Sequence, residues 1–194
     1  MNFIDFIYTI DFAIIDFIQE TMRCQFLDYV MAFFSYLGEA GGIWLISAII
    51  MMCFRKTRAT GVMVVCAVAI GFVIGEIGLK NIVDRLRPFV QNPEVIPAIK
   101  PPSGYSFPSG HSCSSFAAAT VLIVRDKKFG IPAIIIANLI AFSRLYNYVH
   151  FPSDVLGGIL LGVMCAVVTL IFFKKTGFDQ KLSGDLKYKK TENG

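Results

Sequence analysis

The sequence predicts an all-α, polytopic membrane helical bundle with about five transmembrane helices, or six if the N-terminal segment also crosses, plus an N-terminal amphipathic helix. Three observations carry this. The chain is 55% hydrophobic, with 18 phenylalanines among 194 residues. Five mostly uncharged segments recur along it: Gly42–Phe54, Ala59–Leu79, Ser112–Val124, Phe129–Phe142 and Val155–Phe173. Between them the Lys and Arg residues gather in clusters. Several segments fall short of the roughly 20 residues a lone span needs, but flanking residues extend them. One soluble core in so short a chain does not absorb five such segments.

Taken in order, the first 22 residues read as an amphipathic helix. Asp5, Thr9, Asp16 and Glu20 share one face, while Phe3, Ile7, Ile10, Ile14 and Phe17 crowd the other. That pattern favours a helix lying in the interface, with a first span as the alternative; Asp11 falls off the polar face. No basic n-region or small-residue cleavage site marks a signal peptide. Phe26–Phe54 reads as a span interrupted at Gly38-Glu39-Ala40-Gly41-Gly42, where a helix breaks or bends. A single integral-membrane domain is expected over residues 1–178, with a polar cytoplasmic tail over 179–194.

Charge orients the bundle. Arg55, Lys56 and Arg58 form one cluster; Arg125, Lys127 and Lys128 form a second. Lys174 and Lys175 open a third, joined by Lys181, Lys187, Lys189 and Lys190. With five spans all three clusters fall on one side and hold 12 of the 18 basic residues, so the positive-inside rule makes that side cytoplasmic. The net charge of +4 is therefore a topology signal, and no nucleic-acid partner is expected. The five cysteines show neither paired spacing nor a metal pattern. Gly158, Gly162 and Ala166 recur every fourth residue below Asp154, a small face that permits close approach by a neighbouring helix. Gly71 and Gly75 do the same towards Glu76 and Lys80.

The candidate chemistry collects on the opposite, extracytoplasmic side. Lys80 and Arg87 lie seven residues apart, about two helical turns, and can address one anion, although Pro88 disfavours helical geometry at Arg87. Glu76 is spaced for an ion pair with Lys80. The stretch from Ser103 to His111 reads as a turn feeding a helix, where Ser109, Gly110 and exposed amides can meet an anion and His111 can protonate a leaving oxygen. His150 precedes Asp154 by four residues. If Val149–Leu156 is helical the two share a face, and the carboxylate then fixes the imidazole tautomer, freeing the other nitrogen to attack. Arg144 adds a third cation. A metal held by two histidines and an aspartate is disfavoured by these cations. A non-enzymatic anion channel or transporter would instead need polar residues along the spans, which are mostly apolar here.

Lys80…Arg87-Pro88, Pro108-Ser109-Gly110-His111 and Ser143-Arg144…His150…Asp154 together resemble the three signature motifs of the type 2 phosphatidic acid phosphatase (PAP2) superfamily. The resemblance spans about Gly42–Phe173. It implies that His150 is the nucleophile, oriented by Asp154. It makes His111 the general acid, and Lys80, Arg87, Ser109, Gly110 and Arg144 the phosphate-binding residues. It further implies a phosphohistidine intermediate and no metal or other cofactor. The superfamily's soluble vanadium haloperoxidases fit poorly with so apolar a chain. The small single-domain form resembles bacterial undecaprenyl-diphosphate phosphatases and phosphatidylglycerophosphate phosphatases. The substrate expected first is undecaprenyl diphosphate at the outer face of a bacterial cell membrane. Phosphatidylglycerophosphate, phosphatidate or diacylglycerol diphosphate are the alternatives.

Overall fold

The computed structural model describes residues 3–183; the expected tail from residue 184 onward, including Lys187, Lys189 and Lys190, lies outside them. Its helices are α1 (Phe3–Met22), α2 (Gln25–Leu37), α3 (Gly42–Met52), α4 (Arg58–Phe72), α5 (Lys80–Val83), α6 (Pro88–Gln91), α7 (Gly110–Arg125), α8 (Lys127–Tyr146), α9 (Pro152–Thr176) and α10 (Phe178–Ser183). A 3-10 turn, Glu39–Gly41, joins α2 to α3, and a π-helical stretch, Val73–Leu79, continues α4 into α5. All five cysteines are free.

Among the described residues, three helical stretches are long and apolar enough to cross a membrane: Arg58–Gln91, Lys127–Tyr146 and Pro152–Thr176. The α2–α3 pair, bent by 45°, makes up to four if it counts as one span. The expected break at Gly38–Gly42 is therefore present, with Ala40 and Gly41 at positive φ. The remaining expected span, Ser112–Val124, lies in α7, whose 16 residues reach only about 24 Å at 1.5 Å per residue. Its length falls below that of a hydrocarbon core of roughly 30 Å. α7 is the hub of the bundle, packed against α4, α8 and α9. Ala117, Ala118, Ala119 and Val121 on it are fully buried, so its surroundings are largely protein.

α1 forms over the expected N-terminal stretch. It bears Asp5, Asp11, Asp16 and Glu20, but part of its polar complement docks onto the protein. Asp16 accepts from the Tyr148 hydroxyl at 2.6 Å, and Gln19 donates to the Tyr146 carbonyl at 2.7 Å. The docked face carries Asp11, Ile15 and Ile18, while Ile4, Ile10, Ile14 and Phe17 remain exposed, an apolar surface suited to lipid.

The three described basic clusters lie at turns or helix ends. Arg55, Lys56 and Arg58 flank the α3–α4 turn, Arg125 to Lys128 the α7–α8 turn, and Lys174 and Lys175 close α9. Arg125 ties these ends together, contacting Thr60 at 3.4 Å and pairing with Asp179 at 3.3 Å. At the other end, the start of α7, the end of α8 and the start of α9 converge. There the small face of α9 works as expected. A Cβ on Gly158 would lie 2.4 Å from the Ser109 carbonyl oxygen, and one on Gly162 2.3 Å from that of Cys113. The α7 and α9 backbones are therefore as close as glycine allows. Gly162→Ala is expected to lower stability by about 1–3 kcal/mol, the usual cost of overpacking. A thermal midpoint in detergent equal to that of the unaltered protein would show that this contact has slack.

Candidate active site

α5 is only one turn long because Asp84 adopts a left-handed backbone (φ 51°) as its C-cap. The chain then runs extended into Arg87 (φ −75°, ψ 155°), with Pro88 opening α6. The expected helical path from Lys80 to Arg87 is therefore broken at Asp84, and Pro88, which disfavours helical geometry at the residue before it, keeps Arg87 extended. Both cations still reach one cavity of about 640 Å³, whose walls include Glu76, Lys80, Arg87, Gly110, His111, Arg144 and His150. Ser109 and Asp154 stand behind this wall.

Each cation is held by fixed acceptors. Lys80 Nζ lies 2.8 Å from both carboxylate oxygens of Glu76. Gly110 makes room for that carboxylate, since a Cβ there would fall 2.2 Å from Glu76 Oε1. Arg87 donates to the carbonyls of Gly104 at 2.9 Å, Val149 at 3.0 Å and Ser103 at 3.3 Å. Arg144, 2% exposed, donates to the Ser35 hydroxyl, and its Nε has no partner among the described residues.

Ser109 is the N-cap of α7, as the turn-to-helix reading expects. Its Oγ accepts from the Ser112 amide at 3.4 Å and the Ser112 hydroxyl at 3.0 Å. The backbone joins the three segments: the Ser106 amide donates to the Arg85 carbonyl at 2.8 Å, and the Ser109 amide to the Asp154 carbonyl at 3.0 Å.

His150 precedes α9 rather than lying in it. Phe151 is the N-cap and Pro152 fills the first turn, where its missing amide costs nothing. Asp154 reaches back to accept from the Phe151 amide at 2.8 Å and takes the Ser106 hydroxyl on the same oxygen. That oxygen is 3.6 Å from His150 Nδ1, and Ser106 Oγ is 3.4 Å from the same nitrogen. The carboxylate thus faces the imidazole across a close but loose contact.

The protonation pattern follows from partner chemistry. Arg87 Nη1 lies 3.1 Å from His150 Nε2, and a guanidinium can only donate, so Nε2 presents its lone pair. His111 Nε2 lies 3.2 Å from the Ser35 carbonyl, which can only accept, so that nitrogen carries a proton. Glu39 Oε2 stands 3.5 Å away. One cavity therefore holds one imidazole nitrogen equipped to attack and another equipped to donate, among three cations that suit a phosphoryl group. Ser35, Glu39 and Ser106 escaped the sequence reading. Ser106 belonged to a quoted stretch without a role, and nothing local to Ser35 or Glu39 points at a histidine more than 70 positions away.

A family model described as the PAP2 superfamily matches residues 59–178. The chain is 35% identical over 163 residues to an undecaprenyl-diphosphatase of Sulfolobus acidocaldarius, covering 83% of this chain and 77% of that protein. The crystal structure of a transmembrane PAP2-type phosphatidylglycerolphosphate phosphatase from Bacillus subtilis matches with TM-score 0.71 and 30% identity, over 87% of this chain and 86% of that one. The crystal structure of Aquifex aeolicus LpxE matches with TM-score 0.73 and 29% identity, over 83% and 94% of the respective chains.

Complete burial holds the His150 imidazole well below its ordinary range, reinforced by Arg87, Arg144, Lys80 and His111. The unfolded chain takes up this proton near the ordinary value of about 6.5, whereas the folded chain resists it. Its contribution to stability is therefore intact above that pH and declines as the pH falls below it. Histidine NMR of the phosphate-free protein in detergent should show His150 neutral, with the proton on Nδ1, at about pH 6. A half-protonated or imidazolium signal there would contradict this electrostatic account.

Proposed function

We propose a function from one established premise: the chain belongs to the PAP2 superfamily. It is a multi-pass membrane lipid phosphatase acting on a phospholipid or isoprenoid-phosphate substrate. Our finer reading is that it hydrolyses undecaprenyl diphosphate to undecaprenyl phosphate and phosphate through a phosphohistidine. The opposite partners of the His150 and His111 Nε2 atoms, a guanidinium and a backbone carbonyl, in one cationic cavity are the observation that carries the mechanism.

In this mechanism the terminal phosphoryl group displaces Arg87 from the His150 lone pair. His150 Nε2 forms the new P–N bond as the bond to the bridging oxygen breaks. His111, as the imidazolium, turns its Nε2 proton from the Ser35 carbonyl to that oxygen and keeps the proton on Nδ1, so undecaprenyl phosphate leaves. Water then attacks phosphorus, His111 accepts its proton, and cleavage of the P–N bond frees phosphate and restores His150. Lys80, Arg87 and Arg144 offset charge on the phosphoryl oxygens, while the Gly110 region and Ser109 contribute directional donors. Asp154 keeps the His150 proton on Nδ1. These cations do the work a divalent ion does in other phosphoryl transfers, and their field would repel such an ion from the cavity.

The choice of lipid is supported by similarity to the Sulfolobus acidocaldarius undecaprenyl-diphosphatase. Phosphatidylglycerophosphate is the runner-up, supported by the Bacillus subtilis structure. We further read the chain as crossing a bacterial cell membrane five times, with α7 as a short central crossing, the cavity outside and the C-terminus in the cytoplasm.

Hydrolysis is expected to persist in excess EDTA with metal-free substrate; loss restored by a stoichiometric divalent ion would overturn the cation-only mechanism. His150→Ala should abolish turnover and the acid-labile phosphoenzyme, and trapping that species at normal yield on this variant would place the nucleophile elsewhere. Asp154→Asn should slow turnover at least about 100-fold, within the range of acid–base contributions. Enriched membranes should release phosphate faster from undecaprenyl diphosphate than from phosphatidylglycerophosphate, and the reverse order selects the runner-up. For topology, single cysteines at Ser103 and Lys187 in a cysteine-free background should label with an impermeant thiol reagent from outside and only after permeabilisation, respectively. Reversed labelling would put the cavity in the cytoplasm.

A further inference from the structure

Helix α1 carries a carboxylate on its buried face, where an amphipathic pattern has no use for one. Asp11 is 2% exposed, and a charge so placed must be paired. It accepts from the Ser153 amide at 2.9 Å and from the Ser153 hydroxyl, and pairs with Arg85 Nη2 at 2.6 Å. Arg85 Nη1 donates to Asp154 Oδ1 and Ser153 Oγ, each at 2.6 Å. The guanidinium also contacts the rings of Tyr8, 4.5 Å from its centroid, and Phe151, at 4.2 Å. Arg85 thus belongs to the same segment as Lys80 and Arg87 but does not line the cavity those two line. It addresses the carboxylate behind His150 instead.

We propose that Arg85 and Asp11 are positioning residues for the nucleophilic pair: Arg85 fixes the place and charge of the Asp154 carboxylate, and α1, through Asp11, fixes Arg85. This rests on the reading of His150 as nucleophile. With Oδ1 taken by Arg85 and Oδ2 by the Phe151 amide and the Ser106 hydroxyl, the carboxylate cannot rotate without losing a partner. The cation also limits how strongly Asp154 draws a proton onto His150. The charged groups facing His150 are Lys80 of α5, Arg87 before α6, His111 of α7, Arg144 of α8 and Asp154 of α9. Asp154 is faced by Arg85, which is faced in turn by Asp11 and Tyr8 of α1. Glu76 and Glu39 pair with Lys80 and His111. Removing the Arg85 charge takes a cation from the His150–Asp154 pair and makes that pair take up a proton at higher pH.

The test uses the full-length protein in detergent with farnesyl diphosphate as substrate and His150 titration by NMR as a readout independent of turnover. Arg85→Gln should lower kcat at least about tenfold while KM changes less than about threefold. It should move the acid limb of kcat/KM, and the His150 titration, upward by about one pH unit. Asp11→Asn should move both in the same direction by less. Arg85→Lys should return the limb to its original pH without restoring full kcat, because it keeps the charge and loses the two-sided geometry.

A folded Arg85→Gln protein with unaltered kcat and an unmoved His150 titration overturns the proposal. So does a raised KM at unchanged kcat, which would make Arg85 a substrate contact. If Arg85→Gln fails to fold, Asp11→Asn decides by the same readouts; failure of both to fold assigns these charges to stability alone and also overturns it. Absence of turnover in the unaltered protein on any lipid phosphate would count against the phosphatase reading, while the NMR shift would still decide whether Arg85 governs His150.

Discussion

The site depends on keeping Lys80, Arg87 and Arg144 together around one cavity, with the Glu76 carboxylate paired to the first of them. Two unit charges 4 Å apart repel by about 4 kcal/mol at an effective dielectric constant of 20, more than the roughly 1.5–3 kcal/mol of one hydrogen bond to a charged group. No single contact therefore suffices, and the fold supplies several: three backbone carbonyls for Arg87, both oxygens of Glu76 for Lys80 and the Ser35 hydroxyl for Arg144. The carbonyls come from the 103–104 loop and from the turn after α8. The cation arrangement thus dictates how the loops run, and the loops in turn place His150 and the N-cap of α7.

The two histidines show how one residue type takes two states in one cavity. Neither needs a metal or a covalent neighbour to set its tautomer. A guanidinium on one side and a carbonyl on the other are sufficient, because each has only one hydrogen-bonding role available. The bent α2–α3 unit supplies the second of these through Ser35, and its 3-10 turn adds Glu39. The kink is therefore part of the site's construction as well as an interruption of a span.

Much of this was legible in the sequence, and what escaped shares a physical origin. The positions of Lys80, Arg87, His111, Arg144 and His150 on one cavity follow from motif spacing. The bend at Gly38–Gly42 follows from glycine content, and the close α7–α9 approach from the small-residue repeat at Gly158 and Gly162. Helix breaks were less readable. The left-handed turn at Asp84 carries no proline or glycine signal of its own, and the start of α9 after His150 is set by Asp154 capping Phe151. The number of crossings was less readable than their positions, because apolar composition does not distinguish lipid-facing surface from the protein-lined surroundings of α7. Ser35, Ser106, Arg85 and Asp11 are invisible to periodicity, since their partners lie far away along the chain. Asp11 did leave a trace by falling off the polar face of its own helix.

The Asp11–Ser153 hydrogen bond joins positions 142 residues apart. The surroundings of Asp154 therefore cannot be completed before residue 153 has been made. Contacts of such separation form late, after the loop-closure entropy between them has been overcome. Arg85 can meet Asp154 without the first helix, but it acquires its second carboxylate, Asp11, only once that helix has packed against the start of the last. A nascent chain thus carries every motif residue before it carries the full chain of charges behind His150, and the Asp11–Arg85 pair marks the docking of the first helix.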